Sequence, residues 1–224
     1  GLIGREGIAS VYAGAEPAAQ SWAALQKFME TGGTGLFGRP ATEMKCAGAP
    51  LKQTFLADDR LRQAGTRTKT EIVYNAHNAT LFSVPPVNTK LLSLFERQDF
   101  RINFSHVLTR IDPAKHIATF NTPNGSVELE WDFINLIPPM RAPEAVRNSP
   151  LPWQSGPFAA DGWIEVDKQT LRHLRFPNVF GVGDINGVPK GKTAASVKWQ
   201  APVVVDHLVG EISGKGGTEI YNGY

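Results

Sequence analysis

Residues Pro177–Gln200 read PNVFGVGDINGVPKGKTAASVKWQ. The apolar run Asn178–Val182 predicts a short strand. Gly183-Asp184 ends it, a Gly/Pro-rich loop follows, and a helix starts near Lys192. A strand that stops on Gly-Asp and turns into a helix puts a carboxylate and the free N–H groups of a helix start at one point. That geometry suits a ribose or ribityl chain with phosphates, because helix-start N–H groups favour anionic oxygens. Read by itself, the pattern equally fits an ordinary strand-to-helix turn of a parallel sheet.

Working outward, helix and strand signals alternate over the first hundred residues. Glu16–Glu30 predicts a helix, with Pro17 in the first turn and Trp22, Leu25, Phe28 and Met29 on one face. Thr34–Gly38 predicts a buried strand. A helix starts near Ala47, runs to Ala64 and is closed by Gly65. Thr70–Asn75 predicts a strand, Val87–Gln98 a helix and Phe100–Phe104 a strand. This order is that of a parallel sheet with crossover helices. The pattern then changes to three short alternating strands, Val107–Asp112, His116–Asn121 and Ser126–Glu130. Pro123-Asn124-Gly125 is the turn between the last two, so the run predicts an antiparallel meander. Asp132–Ile137 is a further strand, stopped by Pro138-Pro139. The Pro-rich stretch 142–158 predicts a loop with at most one short helix. Trp163–Val166 predicts a strand. The final helix extends toward Leu208, with Pro202 expected to kink or interrupt it.

The 224 residues carry a net charge of +2, 42% hydrophobic and 20% charged residues. That composition describes a globular chain long enough to bury a core. Lysines and arginines are scattered, so no nucleic-acid partner is expected. The single cysteine, Cys46, excludes an internal disulfide and points to a reducing compartment. No apolar run is long enough to span a bilayer. His77, His106, His116, His173 and His207 make no metal-ligand spacing with one another or with Cys46, so no metal is expected. His77 follows the end of a predicted parallel strand, where active-site loops gather; it reads as a core histidine or a proton-transfer group. Arg39, in Gly38-Arg39, stands at the matching place after the preceding strand.

Gly183-Asp184 and Lys192-Thr193-Ala194-Ala195 resemble the FAD-contacting segment of sulfide:quinone oxidoreductases. Lys45-Cys46-Ala47-Gly48-Ala49-Pro50 resembles the segment carrying one redox cysteine of that family, particularly of the group with the mitochondrial enzyme. Pro138-Pro139-Met140 resembles its Pro-Pro turn beside the isoalloxazine and quinone. The resemblance covers nearly the whole chain. It implies an α/β fold with tandem Rossmann-like, FAD/NAD(P)-binding parallel sheets and a small antiparallel meander. Residues 1–131 would form a nucleotide-binding-like domain with the embedded meander, and 132–224 the returning half of an FAD-binding domain. The one G-x-G-x-x-G, Gly33–Gly38, falls within the predicted strand rather than between a strand and a helix start, so the chain is expected to be a piece of a longer polypeptide lacking the first FAD unit. The face left bare would favour a homo-oligomer.

By this resemblance FAD is the cofactor, held by Gly183, Asp184, Lys192 and Thr193, with Lys192 near the flavin pyrimidine edge. A cation there stabilises charge on the reduced ring. Lys190 and Lys198 are expected on solvated faces. Cys46 would be the catalytic thiol. At a helix start and beside Lys45, a cysteine meets positive charge that favours the nucleophilic thiolate. Sulfide or a small thiol would be the substrate. A quinone at Pro138, Pro139 and Met140 would be the acceptor. The enzyme would sit peripheral to a membrane on its cytoplasmic or organelle-matrix side. The second cysteine of the family follows Gly-Asp directly, and here that position is Ile185. Two other readings stay open: an NAD(P)H-dependent flavoenzyme of the same superfamily, and a non-catalytic nucleotide-binding module.

Overall fold

A computed structural model describes residues 1–189 and 191–223. The chain divides into two compact units, one of residues 1–41 and 48–139, the other of residues 42–47 and 140–224.

The first unit is built on a parallel sheet. Its elements in chain order are β1 (Ile8–Ala9), α1 (Ala15–Thr31), β2 (Gly33–Gly38), α2 (Ala49–Ala64), β3 (Thr70–Asn75), α3 (Pro85–Arg97) and β4 (Phe100–Asn103). Then come β5 (Val107–Asp112), β6 (Ile117–Thr122), β7 (Gly125–Glu130) and β8 (Phe133–Asn135). The sheet order is β1-β8-β2-β3-β4, all pairs parallel, while β5-β6-β7 form a separate antiparallel sheet. Alternation along the strands splits the core in two. Phe37, Ile72, Tyr74 and Phe133 pack with Phe28, Leu51, Leu61 and Phe95 of the helices. Ile8, Leu36, Val73 and Ile134 on the opposite face pack with Ala118, Phe120 and Trp131 of the meander. Period-2 side chains covered on both faces are what a crossover-connected sheet requires. Gly65 closes α2 in the left-handed conformation, φ +74.

The mixed α/β class is as expected, with one parallel sheet among the described residues. The unit boundary lies at Pro139 rather than at residue 131, because β8 inserts between β1 and β2. Trp22 is exposed rather than buried with its predicted face. β1 has two residues, too short for a periodic signal.

The second unit holds little regular structure before its last helix. Its elements are α4 (Glu144–Arg147) and α5 (Ala194–Ile212). The strands expected at 163–166 and 178–182 are not formed. Ile164, Val166 and Phe180 instead make isolated bridges to Asn186, His173 and Arg172. Apolar runs this short pack side chains without extending a ladder. Ile164, Val166, Leu171, Val188, Val203, Val204 and Tyr221 are the buried core here. Helix α5 runs unbroken through Pro202. No helix among the described residues is long and apolar enough to cross a membrane, and none of their side-chain groups could hold a metal ion.

Candidate functional site

The turn after Val182 is a single 3-10 turn, Gly183–Ile185, entered through Gly183 at φ +77. Only glycine takes that conformation without strain. The turn is pinned from α5 by Gln200, 1% exposed, whose Oε1 accepts from Gly183 N (2.7 Å) and Asn186 Nδ2 (3.0 Å). Thr193 caps α5, its hydroxyl accepting from Ser196 N. Ala194 and Ala195 are exposed, so the first N–H groups of α5 lie under small side chains, and Asp184 is exposed. This half of the expected arrangement, a carboxylate and a capped helix start on one short stretch, fits an anion-bearing polyol such as the ribityl phosphate of FAD.

Lys192 is placed otherwise than expected. Its side chain is 3% exposed and turned inward, Nζ donating to Asp184 O (3.0 Å) and Asn186 O (2.5 Å). Nζ lies 4.0 Å from the centre of the Trp163 ring. Its ammonium therefore braces the turn. Burial lowers the Lys192 pKa from the ordinary 10.5 to about 8, against the attraction of Glu43 and Asp184. The folded chain thus holds this proton less tightly than the unfolded chain. Stability should rise as pH climbs from about 8 to 10.5, where only the unfolded chain keeps the proton. Urea midpoints across that range should show the rise in wild type and lack it in Lys192→Met.

The same residue ties down the cysteine. Cys46 N donates to Lys192 O (2.6 Å), and Lys45 and Lys192 form a parallel bridge. Cys46 has φ +54, a conformation that costs a non-glycine residue about 1 kcal/mol or more. Helix α2 starts only at Ala49, so Cys46 stands three residues ahead of it and not at the expected helix start. The bond to Lys192 holds its segment, Thr42–Ala47, in the second unit. The cysteine is half-buried.

The expected trio Pro138, Pro139 and Met140 is divided. Pro138 and Pro139, in the first unit, line an apolar cavity of about 440 Å³ with Tyr12, Leu108, Ile111 and Leu136. Met140 is buried in the second unit, its N donating to Thr42 Oγ1 (2.8 Å) and its Sδ accepting from Lys45 N (3.2 Å). Lys198 is exposed as expected, while Lys190 lies outside the described residues. Gln200 went unnoticed in the sequence. The signal for Gln200 was there: Thr193, Ser196 and Gln200 form a polar stripe at helical spacing.

The chain is 34% identical over 222 residues to the mitochondrial sulfide:quinone oxidoreductase of Dictyostelium discoideum, which covers 99% of this chain and 48% of that protein. The chain belongs to the sulfide:quinone oxidoreductase family. The mitochondrial sulfide:quinone oxidoreductase of Mus musculus is 36% identical over 188 residues, 83% of this chain and 40% of that protein. Among solved structures, the sulfide:quinone oxidoreductase of Aquifex aeolicus superposes with a TM-score of 0.78 at 18% identity, over 94% of this chain and 51% of that chain. No protein-family profile matches the sequence. The chain spans about half the length of the curated relatives it matches. Sulfide:quinone oxidoreductases are FAD-dependent.

Proposed function

We propose that the chain is part of an FAD-dependent oxidoreductase that oxidises sulfide or a small thiol at Cys46 and delivers the electrons to a quinone. The observation that supports this reading above the others is the bond from Cys46 N to Lys192 O. It joins the family's cysteine segment to its flavin-contacting segment within one unit.

In this reading Asp184 and Thr193, with the start of α5, hold the ribityl and phosphate portion of FAD. Lys192 acts through the turn it braces. FAD, when bound, supplies an acceptor for an electron pair. Cys46 would supply one sulfur and the substrate the other of an S–S bond, whose formation releases a proton and the electron pair that bound FAD would accept. Pro138 and Pro139, on their apolar cavity, suit a flat hydrophobic acceptor. With Ile185 after Asp184, a relay between two cysteines is not available to these residues. The chemistry then rests on one thiol. A site peripheral to a membrane follows from the quinone.

The test is the visible spectrum of the protein expressed from its native gene, before and after anaerobic sulfide. Flavin absorbance should bleach with sulfide and recover with a quinone, and Cys46→Ser should slow the bleaching by about a hundredfold or more. Bleaching by NADPH alone would replace this reading with that of a nicotinamide-dependent flavoenzyme. Flavin unmoved by either donor would leave a binding module.

A further inference from the structure

The Lys192 ammonium has three N–H groups to satisfy, and it is buried away from water. Asp184 O takes one at 3.0 Å and Asn186 O another at 2.5 Å. Among the described residues no other acceptor atom meets Nζ. What remains is the ring of Trp163, whose centre lies 4.0 Å from Nζ. Of the side-chain rings, an indole face attracts a cation most strongly, and more so when the pair is dry. Trp163 is itself 1% exposed.

Packing alone does not account for a tryptophan at this position. Its Nε1 is buried without a hydrogen-bond partner, a loss that phenylalanine or leucine would avoid. The indole N–H is idle, so the useful part of the side chain is its face. That face meets both sides of the cysteine attachment. Lys45 Nζ lies 5.9 Å from the same ring centre, and Lys45 and Lys192 are the partners of the parallel bridge beside Cys46. The main chain fixes the ring independently of either lysine. Trp163 N donates to Phe158 O (3.2 Å), and Trp163 O accepts from Trp153 N (3.0 Å). Ile164, the next residue, donates its N–H to Ile185 O at 3.0 Å and so holds the same turn.

We propose that Trp163 is a positioning residue of this site: its ring face completes the shell of the Lys192 ammonium and so keeps the Asp184 turn and the Cys46 segment in register. Its effect on turnover rests on the function proposed above; its effect on Lys192 does not. Without the ring, one N–H of a buried charge has no partner, and the ammonium gives up its proton more readily. A neutral amine is a weaker donor to Asp184 O and Asn186 O. The turn then loosens, and Cys46, bonded to Lys192 O, moves with it.

The experiment compares Trp163→Phe and Trp163→Leu in the protein expressed from its native gene. Urea midpoints are followed upward from about pH 6, and in wild type the rise in stability begins at about pH 8. Glu43, Asp184 and Asp161 favour the Lys192 charge and Lys45 opposes it. All four stay in both variants, so a displaced onset belongs to the ring. Leucine should move the onset at least about one pH unit lower, a tenfold loss of proton affinity, while phenylalanine, which keeps a ring face, should move it by less than about half a unit. Bleaching of the flavin at saturating sulfide should slow by about tenfold in the leucine variant and by less than about twofold in the phenylalanine variant. In wild type the ε-methylene protons of Lys192 should resonate upfield of the other lysines under the indole ring current, a signature readable even if the leucine variant does not fold. An onset unmoved by leucine, equal displacement by leucine and phenylalanine, or a Lys192 ε-methylene without the upfield shift overturns the proposal. Wild-type flavin that sulfide does not bleach would overturn the proposed function instead, and the onset and the proton shift would still decide the role of Trp163.

Discussion

Replacing Gln200 by leucine is expected to destabilise the second unit by about 3 kcal/mol, because two buried donors lose their acceptor at once. Gly183 N depends on the Gln200 carbonyl, Asn186 Nδ2 would keep only its longer bond to Gly181 O at 3.4 Å, and both residues are buried. Leucine keeps the volume of glutamine and supplies no acceptor, so the cost is one of unpaired polar groups and not of a cavity. The effect should concentrate on the turn. Amide exchange at Gly183 should speed by about a hundredfold, consistent with that energy, while α5 exchanges much as before. Amide exchange at Gly183 left unchanged in the leucine variant would remove Gln200 from its role as anchor.

Trp131→Ala is expected to cost about 4 kcal/mol and to loosen the meander from the parallel sheet. Trp131 is buried between Ile8, Leu36 and Ile134 of one sheet and Ala118 and Phe120 of the other. Its ring stacks on His116 at 5.6 Å, and its Nε1 donates to Glu6 O at 3.1 Å. Removing it takes away apolar burial and leaves that carbonyl without its donor. Since β5 and Pro138-Pro139 line the same apolar cavity, the variant should also bind a solvatochromic apolar probe more weakly there. A urea midpoint close to wild type would show that the meander docks without this ring.

The first unit was legible because periodicity is a strong signal where both faces of a strand are covered. Thr70–Asn75 was read with its observed limits, and the turn at Pro123-Asn124-Gly125 placed β6 and β7. In the second unit the same method mistook Asn178–Val182 for a strand. Val179 N, Phe180 and Val182 satisfy themselves through local turns and packing, which no periodicity records. Pro202 was expected to kink or interrupt α5, yet the helix runs on through it, with Val203 and Val204 just after it buried in the core of this unit. Lys192 was read for its charge. Its burial depended on Trp163 and on two main-chain carbonyls, partners a linear pattern does not reveal. Cys46 was read from the helix that follows it, whereas its main chain belongs with Lys192. The stripe Thr193, Ser196 and Gln200 was visible and unread.

The attachment of the cysteine segment runs through peptide groups alone: the N–H of Cys46 meets the carbonyl of Lys192. The turn carrying Ile185 is fastened in the same manner, its carbonyl accepting from Ile164 N. At both positions the main-chain bond itself does not depend on the side chain, while Ile185 also packs against the buried core of this unit and Cys46 carries a positive φ. An exchange at residue 185 would therefore keep the bond that fastens the turn and be felt through packing, and a glycine at residue 46 would keep the bond to Lys192 without the strain.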